Sequence, residues 1–339
     1  MAAQRLEMKE VPCLRLSHLT DAQKKAYVIA DNKLALNAGW DDEMLAIELQ
    51  ELSDVDFDLS LTGFDDAELA ALMAEAVQDG LTDEDSIPDA PEIPITVEGD
   101  VWLLGNHRLM CGDSTSVDAV EKLMNGDTGD FIYFDPPYGM NLDTNYLISD
   151  RVKGKKYSPV IGDDNDFIPD LFLEYFKNAR EQFYWGADYY CQHLPKGGSW
   201  VVWDKKKDDL DESIGTGFEL CWSINHHKRI IARFLWSGFT AKEKNENRVH
   251  PTQKPVALHE WFFKRWGKPK DRVVDLFGGS GSTLLACEKT DRLCFMMELD
   301  PKYCDVIIKR WQDFTGKTAI HEQTNKIYNQ LEADKCKAA

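Results

Sequence analysis

Residues 271–288 read Asp-Arg-Val-Val-Asp-Leu-Phe-Gly-Gly-Ser-Gly-Ser-Thr-Leu-Leu-Ala-Cys-Glu. A short apolar run meets a glycine turn, and the turn opens onto an apolar stretch suited to a helix. Strand, turn and helix in this order begin a βαβ unit, whose first turn is where such folds take nucleosides. Glycine permits positive φ and lets a ligand approach the backbone closely. The Gly-Lys-Ser/Thr ending of a phosphate loop is missing, and the dinucleotide fingerprint is not matched. The next apolar run ends at Glu298, where an acid can accept hydrogen bonds from both hydroxyls of a ribose. Asp300 precedes Pro301 and reads as a helix N-cap instead.

Working outward, apolar patterning predicts strands at 108–111, 130–134, 199–203, 218–224, 230–236, 272–276 and 293–297. Helices are expected at 117–124, 168–179, 255–266, 282–289 and 301–313. This alternation predicts an α/β doubly wound sheet with mostly parallel strands. The strands 218–224 and 230–236 are close enough for a hairpin, which would make one edge strand antiparallel.

Three further motifs stand around the glycine turn. Asn106-His107-Arg108-Leu109-Met110-Cys111-Gly112-Asp113-Ser114 places Asp113 just past a strand, where it or Ser114 could also cap a helix. The strand 130–134 delivers Asp135-Pro136-Pro137-Tyr138 to the same sheet edge. His250-Pro251-Thr252-Gln253-Lys254-Pro255 stands just before the glycine-turn strand. An exocyclic base amine is a poor nucleophile, because its lone pair is delocalised into the ring. Two acceptors aimed at its hydrogens favour a more tetrahedral nitrogen, and the Asp135 carboxylate and Pro136 carbonyl can serve. Consecutive prolines stiffen the turn, and preorganised dipoles lower a barrier without reorganising. Tyr138 can stack on a base that has left its duplex.

Together these motifs resemble those of beta-class DNA amino-methyltransferases, in which the Asp-Pro-Pro-Tyr tetrapeptide precedes the Phe-x-Gly-x-Gly turn. The resemblance covers about 100–315. It implies a circularly permuted, Rossmann-like methyltransferase sheet of seven strands, mostly parallel with an antiparallel edge strand. It implies S-adenosyl-L-methionine as cofactor, held by Asp113, Thr252, Lys254, Asp275, Phe277, Gly278, Gly279, Gly281 and Glu298. Asp135, Pro136, Pro137 and Tyr138 would be catalytic, with no metal and no covalent enzyme intermediate. C5-cytosine methylation needs a cysteine nucleophile, and the one Pro-Cys pair, Pro12-Cys13, lies in the acidic N-terminal segment. Asp at the first tetrapeptide position favours adenine N6, with cytosine N4 as the alternative. Methylation of a protein glutamine amide would call for Asn there and the opposite motif order.

The net charge of −20 speaks at first against nucleic acid. Residues 1–100, however, hold 24 Asp and Glu against 6 Lys and Arg, while 226–272 hold 12 bases and 4 acids. The basic stretch can neutralise phosphates of double-stranded DNA. Target-recognition loops are expected at about 139–166, with Arg151, Lys153, Lys155 and Lys156, and at 237–250, with Lys242, Lys244 and Arg248. Phosphate contacts of this kind position a protein without specifying sequence.

Residues 1–86 read as an acidic helical segment, with Ala26, Ile29, Ala30 and Leu34 at helical spacing and Thr20 or Asp21 as N-cap. Residues 19–64 resemble the C-terminal helices of ParB-like N-terminal domains. The nucleotide and nuclease motif of that family has no counterpart, so the segment is expected to serve as a cap or to meet a protein partner. A non-catalytic ParB-like DNA-binding protein is the rival reading of the chain. Three prolines and many acids make 87–100 a linker, and 316–339 are left as a C-terminal tail. Members of the methyltransferase family often dimerise, so a homodimer is expected. No apolar run reaches the length of a membrane span, and no signal-peptide pattern opens the chain. The 8 cysteines are scattered without a C-x-x-C pair. That pattern predicts reduced thiols in a cytoplasm, bacterial or phage-infected by the resemblance.

Overall fold

The computed structural model describes residues 19–34, 45, 48–49, 52, 57–64, 68–69, 80–139, 167–205, 217–234 and 253–338. The chain divides into two compact units, Met1–Ala76 and Val77–Ala339.

In the first unit, helix α1 (Asp21–Leu34) begins at a capping box. The Thr20 N–H donates to Gln23 Oε1 at 2.9 Å, and the Gln23 N–H donates to Thr20 Oγ1 at 3.3 Å. Ala26 and Ile29 on α1 form a small core with Leu45, Leu49, Leu52 and Phe64.

The second unit is built on one sheet of ten strands, in the order β10-β1-β2-β9-β8-β3-β4-β6-β5-β7. The strands are β1 (Val101–Leu104), β2 (His107–Cys111), β3 (Phe131–Phe134), β4 (Glu181–Trp185), β5 (Ser199–Asp204), β6 (Phe218–Ser223), β7 (Ile230–Arg233), β8 (Arg272–Asp275), β9 (Leu293–Glu298) and β10 (Ile320–His321). The helices are α2 (Val117–Met124), α3 (Asp170–Tyr175), α4 (Val256–Trp266), α5 (Ser282–Lys289), α6 (Pro301–Thr315) and α7 (Tyr328–Ala338). Strands β2, β9, β8, β3 and β4 run parallel, and β6 lies antiparallel between β4 and β5. The seven contiguous strands from β2 to β5 are the sheet that the resemblance implies. β1 and β10 extend one edge and β7 the other.

Side chains alternate between two faces because successive Cβ atoms point opposite ways along a strand. Phe131 and Tyr133 join the core formed with α4, α5 and α6. Ile132 and Phe134 join the core formed with α2 and α3. The result is three layers, helices on both faces of the sheet. Local signals fix the ends of several helices. Ser116 caps α2, Asp300 caps α6 ahead of Pro301, and Gly316 closes α6 at φ 69°.

Three expectations are corrected. β6 and β7 do not form a hairpin; β5 lies between them, antiparallel to β6 and parallel to β7. β6 is therefore an internal antiparallel strand, and the antiparallel edge is made by β1 and β10 instead. Residues 87–100 do not hang as a linker but, together with 81–86, lie as a strap along the second unit. Asp85 Oδ1 accepts the Val256 N–H at the start of α4, at 3.0 Å. Asp305 accepts from the Ile95 and Thr96 N–H groups at 2.5 and 3.1 Å. Glu84 pairs with Lys289, and Ile87 is buried. The acids that read as solvating composition are spent on helix starts and buried cations. The tail is likewise ordered: β10 pairs with β1, and Tyr328 of α7 is buried against Trp102. Among the described residues no helix is long and apolar enough to cross a membrane, and no cluster of His, Cys, Asp or Glu could hold a metal.

Candidate active site

The connections fix where a ligand can sit. From β8 the chain crosses through α5 to β9, on one side; from β3 it crosses through α3 to β4, on the other. β8 and β3 are neighbours, with Ile132 opposite Val274. The sheet order thus reverses between them, and the crevice outside their carboxyl ends is the expected binding place. Both leave the sheet there, β8 into the glycine turn and β3 into Asp135-Pro136-Pro137-Tyr138.

The glycine turn is tied from below. The Gly278 N–H donates to the Met297 carbonyl at 2.8 Å, and a Cβ at Gly278 would lie 2.8 Å from Met296. Gly281 has φ 85° and a hypothetical Cβ 3.1 Å from Ile307, so α5 packs closely on α6 there. Gly279 has φ 53° and open space where its Cβ would be, a cradle kept clear of side chain. Glu298 Oε2 accepts the Gly279 N–H at 2.7 Å, and Oε1 accepts the Asp300 N–H at 2.9 Å. Burial pushes the Glu298 carboxyl up to about 7, against those two hydrogen bonds. Asp275 is also pushed to about 7 by burial, while Thr283 and the Phe277 N–H stabilise its charge. The Phe277 ring turns away into an aromatic cluster with Phe134, 5.5 Å between centroids. Asp113 folds back on Thr115, accepting its N–H at 2.8 Å and its hydroxyl at 2.7 Å, and leaves the cap of α2 to Ser116.

Across the crevice, Asp135 Oδ1 accepts the Tyr138 hydroxyl and Oδ2 accepts the Lys254 ammonium, both at 2.5 Å. Lys254 stands just before α4 with its side chain only 4% exposed, and its ammonium lies 3.1 Å from Glu219 on β6. It also sits 4.9 Å over the Trp185 ring. Burial works against its charge, but the carboxylates of Asp135 and Glu219 outweigh burial and hold it above lysine's ordinary value. Glu219 in turn pairs with Lys205, at the end of β5. Burial opposes the charge of Glu219, and Lys254 and Lys205 overcome it and lower its pKa. The Tyr138 ring stacks on Tyr189 with 5.3 Å between centroids and 7° between planes. Gly186, at φ 62°, leaves room for that ring; a Cβ there would collide with it.

Lys254, expected at the cofactor, thus has its ammonium on Asp135 instead. The expected cofactor residue Thr252 lies outside the described residues. So do Arg151, Lys153, Lys155, Lys156, Lys242, Lys244 and Arg248. Glu219, Lys205, Trp185 and Tyr189 were not foreseen. Each is an ordinary residue of a strand or its flank, with no motif to mark it.

Residues 145–310 match the family model for DNA methylases of the N6/N4 type. Residues 43–98 match the ParB-methyltransferase HTH domain. Nearly half of the chain thus matches the N6/N4 DNA methylases. Among its relatives, the type II methyltransferase M.HpaI of Haemophilus parainfluenzae is 29% identical over 258 residues, 67% of this chain and 81% of that one. M.PvuII of Proteus hauseri is 33% identical over 84 residues, 25% of this chain and 24% of its own length. The chain therefore spans about a quarter of that relative. The solved PvuII DNA methyltransferase (cytosine-N4-specific) is 16% identical, with a TM-score of 0.41, over 66% of this chain and 90% of that one.

N6/N4 DNA methylases use S-adenosylmethionine, and the residues at this site fit it. The open cradle at Gly279 gives a nucleoside access to the backbone. The Glu298 carboxylate, held at the strand end by two backbone N–H groups, keeps lone pairs for ribose hydroxyls.

Proposed function

We propose that this protein transfers a methyl group from S-adenosylmethionine to the exocyclic N6 of adenine in double-stranded DNA, at a defined site, on a base turned out of the duplex. The observation that carries the reading is Asp135. Its carboxylate stands beside the glycine turn, fixed on one oxygen by Tyr138 and on the other by Lys254. S-adenosylmethionine, when bound, supplies an electrophilic methyl group on a sulfonium. Asp135 and the Pro136 carbonyl accept the two hydrogens of the amine and localise its lone pair. Tyr138 offers a ring for the base. Gly278, Gly279, Gly281 and Glu298 orient the donor, and Asp113, Asp275 and Phe277 support that side through the turns they build. Fixed orientation of two reactants supplies much of such a rate. Arg151, Lys153, Lys155, Lys156, Lys242, Lys244 and Arg248 are assigned to phosphate contacts on the duplex.

Cytosine N4 carries the same kind of amine and is the second reading. The matching family model takes in N4 as well as N6 methylases. Transfer of labelled methyl to unmodified DNA, followed by nucleoside analysis, separates the two. N6-methyladenine at one sequence motif supports the proposal. N4-methylcytosine overturns the base assignment, and no transfer with cofactor bound overturns the activity.

A further inference from the structure

Asp135 does not end at Lys254. A line of alternating charge runs from it across four elements: Asp135 after β3, Lys254 before α4, Glu219 on β6, and Lys205 at the end of β5. Two tryptophans wall the line, with Lys254 4.9 Å over Trp185 and Lys205 4.6 Å over Trp203. Three of the four side chains are more than about 70% buried and the fourth, Lys254, almost wholly so. Four buried charges are costly unless each is paired, and a lysine held only for packing could have been an apolar residue. We infer that Lys254, Glu219 and Lys205 form a buried charge relay that positions the Asp135 carboxylate as hydrogen acceptor for the substrate amine. Glu219 and Lys205 are positioning residues acting through Lys254. The inference rests on the catalytic role proposed for Asp135.

The physical reason is economy of charge. A carboxylate alone at this edge would face the Asp275 carboxyl at the end of β8 with no cation to hold it. Lys254 offsets that. An unpartnered Lys254 would in turn lie wholly on Asp135 and weaken it as an acceptor. Glu219 divides the ammonium between two carboxylates, and Lys205 keeps Glu219 charged. Among the described residues, the remaining titratable groups facing Asp135 stay neutral. They are Tyr138 on its own turn, Tyr133 on β3, Tyr190 after β4 and Cys221 on β6, each raised well above its ordinary value, with burial the largest cause. His259 on α4, which faces Lys254, is lowered to about 3 by burial and that ammonium.

The test is the pH dependence of single-turnover methyl transfer in the full-length protein, with cofactor binding and thermal melting measured alongside. Lys254→Met removes the cation and should move the acid limb of the rate profile up by about one to three pH units. Glu219→Gln removes an anion and should move the same limb down, by less than about one unit. Lys205→Met should move it up again, by less than Lys254→Met does. Lys254→Arg keeps the charge and should restore the wild-type limb. In each case the Kd for S-adenosylmethionine should stay within about threefold, because none of these groups lies at the glycine turn. Asp135→Ala separates the two levels of inference. If it keeps the wild-type rate, the catalytic reading itself fails. If it is inactive while the three variants leave the limb unmoved, or move it in one common direction, the relay fails and the catalytic reading stands. A variant too unstable to assay is replaced by Lys254→Arg against Lys254→Gln, where an identical limb in both overturns the relay.

Discussion

A cut at residue 90 should destabilise this protein's catalytic unit, whereas a cut at residue 79 should not. Both remove the first compact unit. Only the longer truncation removes the strap that begins at 80. Its losses can be followed residue by residue. The Leu81 N–H leaves the Phe314 carbonyl, at 2.8 Å, where α6 ends. The Glu84 carbonyl leaves Arg310 Nη2, at 2.6 Å, and the Glu84 carboxylate leaves Lys289. Asp85 leaves the Val256 N–H at 3.0 Å, and its carbonyl leaves Gln253 Nε2 at 3.3 Å. Ile87, 3% exposed, leaves its core site.

Each hydrogen bond is worth about 1 kcal/mol net, and the isoleucine about 2 kcal/mol. Arg310 is lowered to about 10 by burial, with Asp85, Glu84 and Asp83 opposing that shift, so it loses charges that stabilise its own. Water reaching the vacated groups returns part of the loss, and Lys289 keeps Glu260. A net of about 5 kcal/mol remains, which for a unit of this size lowers Tm by roughly 10–20 °C. Because Asp85 holds the start of α4 and Gln253, the segment carrying Lys254 should loosen as well, and transfer should fall before global unfolding. Scanning calorimetry of the two truncated proteins, at equal pH and salt, decides the matter. Melting within about 3 °C of each other would refute the strap as part of the catalytic unit and restore the linker suggested by composition.

Further outcomes follow from the site. Asp135→Ala should lower the rate of transfer by about 10²–10⁴ while cofactor titration stays unchanged; a full rate would remove Asp135 from the chemistry. Gly279→Asp should fold with some backbone strain, since the Cβ position is open and Asp is among the side chains found most often at positive φ. It should nonetheless lose cofactor binding, measured by calorimetry, because the carboxylate enters the cradle. Glu298, at about 7, must be ionised to accept ribose hydroxyls fully, so binding should release a proton at pH 6 and affinity should rise with pH up to about 7. Titration in buffers of different ionisation enthalpy reads that proton directly, and none released would overturn the role of Glu298. Without cofactor the same groups set stability. Asp275 and Glu298 are raised above their unfolded values, so the native state binds more protons, and stability should fall as pH rises from about 4 to about 7.

What could be read in the sequence and what could not follow from the range of the interactions involved. α5 and the glycine turn were legible because each position there carries a local reason: Gly278 for Met296, Gly281 for its positive φ, Ser282 onward for helix. β4 was missed because Glu-Gln-Phe-Tyr-Trp, buried at four of five positions, shows no alternation, and a short apolar run has no periodicity to mark it as strand. The place of β6 could not be read because proximity in sequence favours a hairpin with β7, whereas the sheet order is set by what packs on each face. The site divides the same way. Asp135 and the turn were found as runs of chemically unusual neighbours. Glu219 and Lys205 were not, since their meaning comes from Lys254, distant in sequence, which stands over Trp185 on another strand. The strap misled for a related reason. Acids and prolines look like solvated chain, and nothing local distinguishes a free Asp85 from one that holds the first N–H of a helix distant in sequence. Charge that composition assigns to solvent can therefore be structural wherever the rest of the chain presents buried cations and open helix starts, as Arg310, Lys289 and α4 do here.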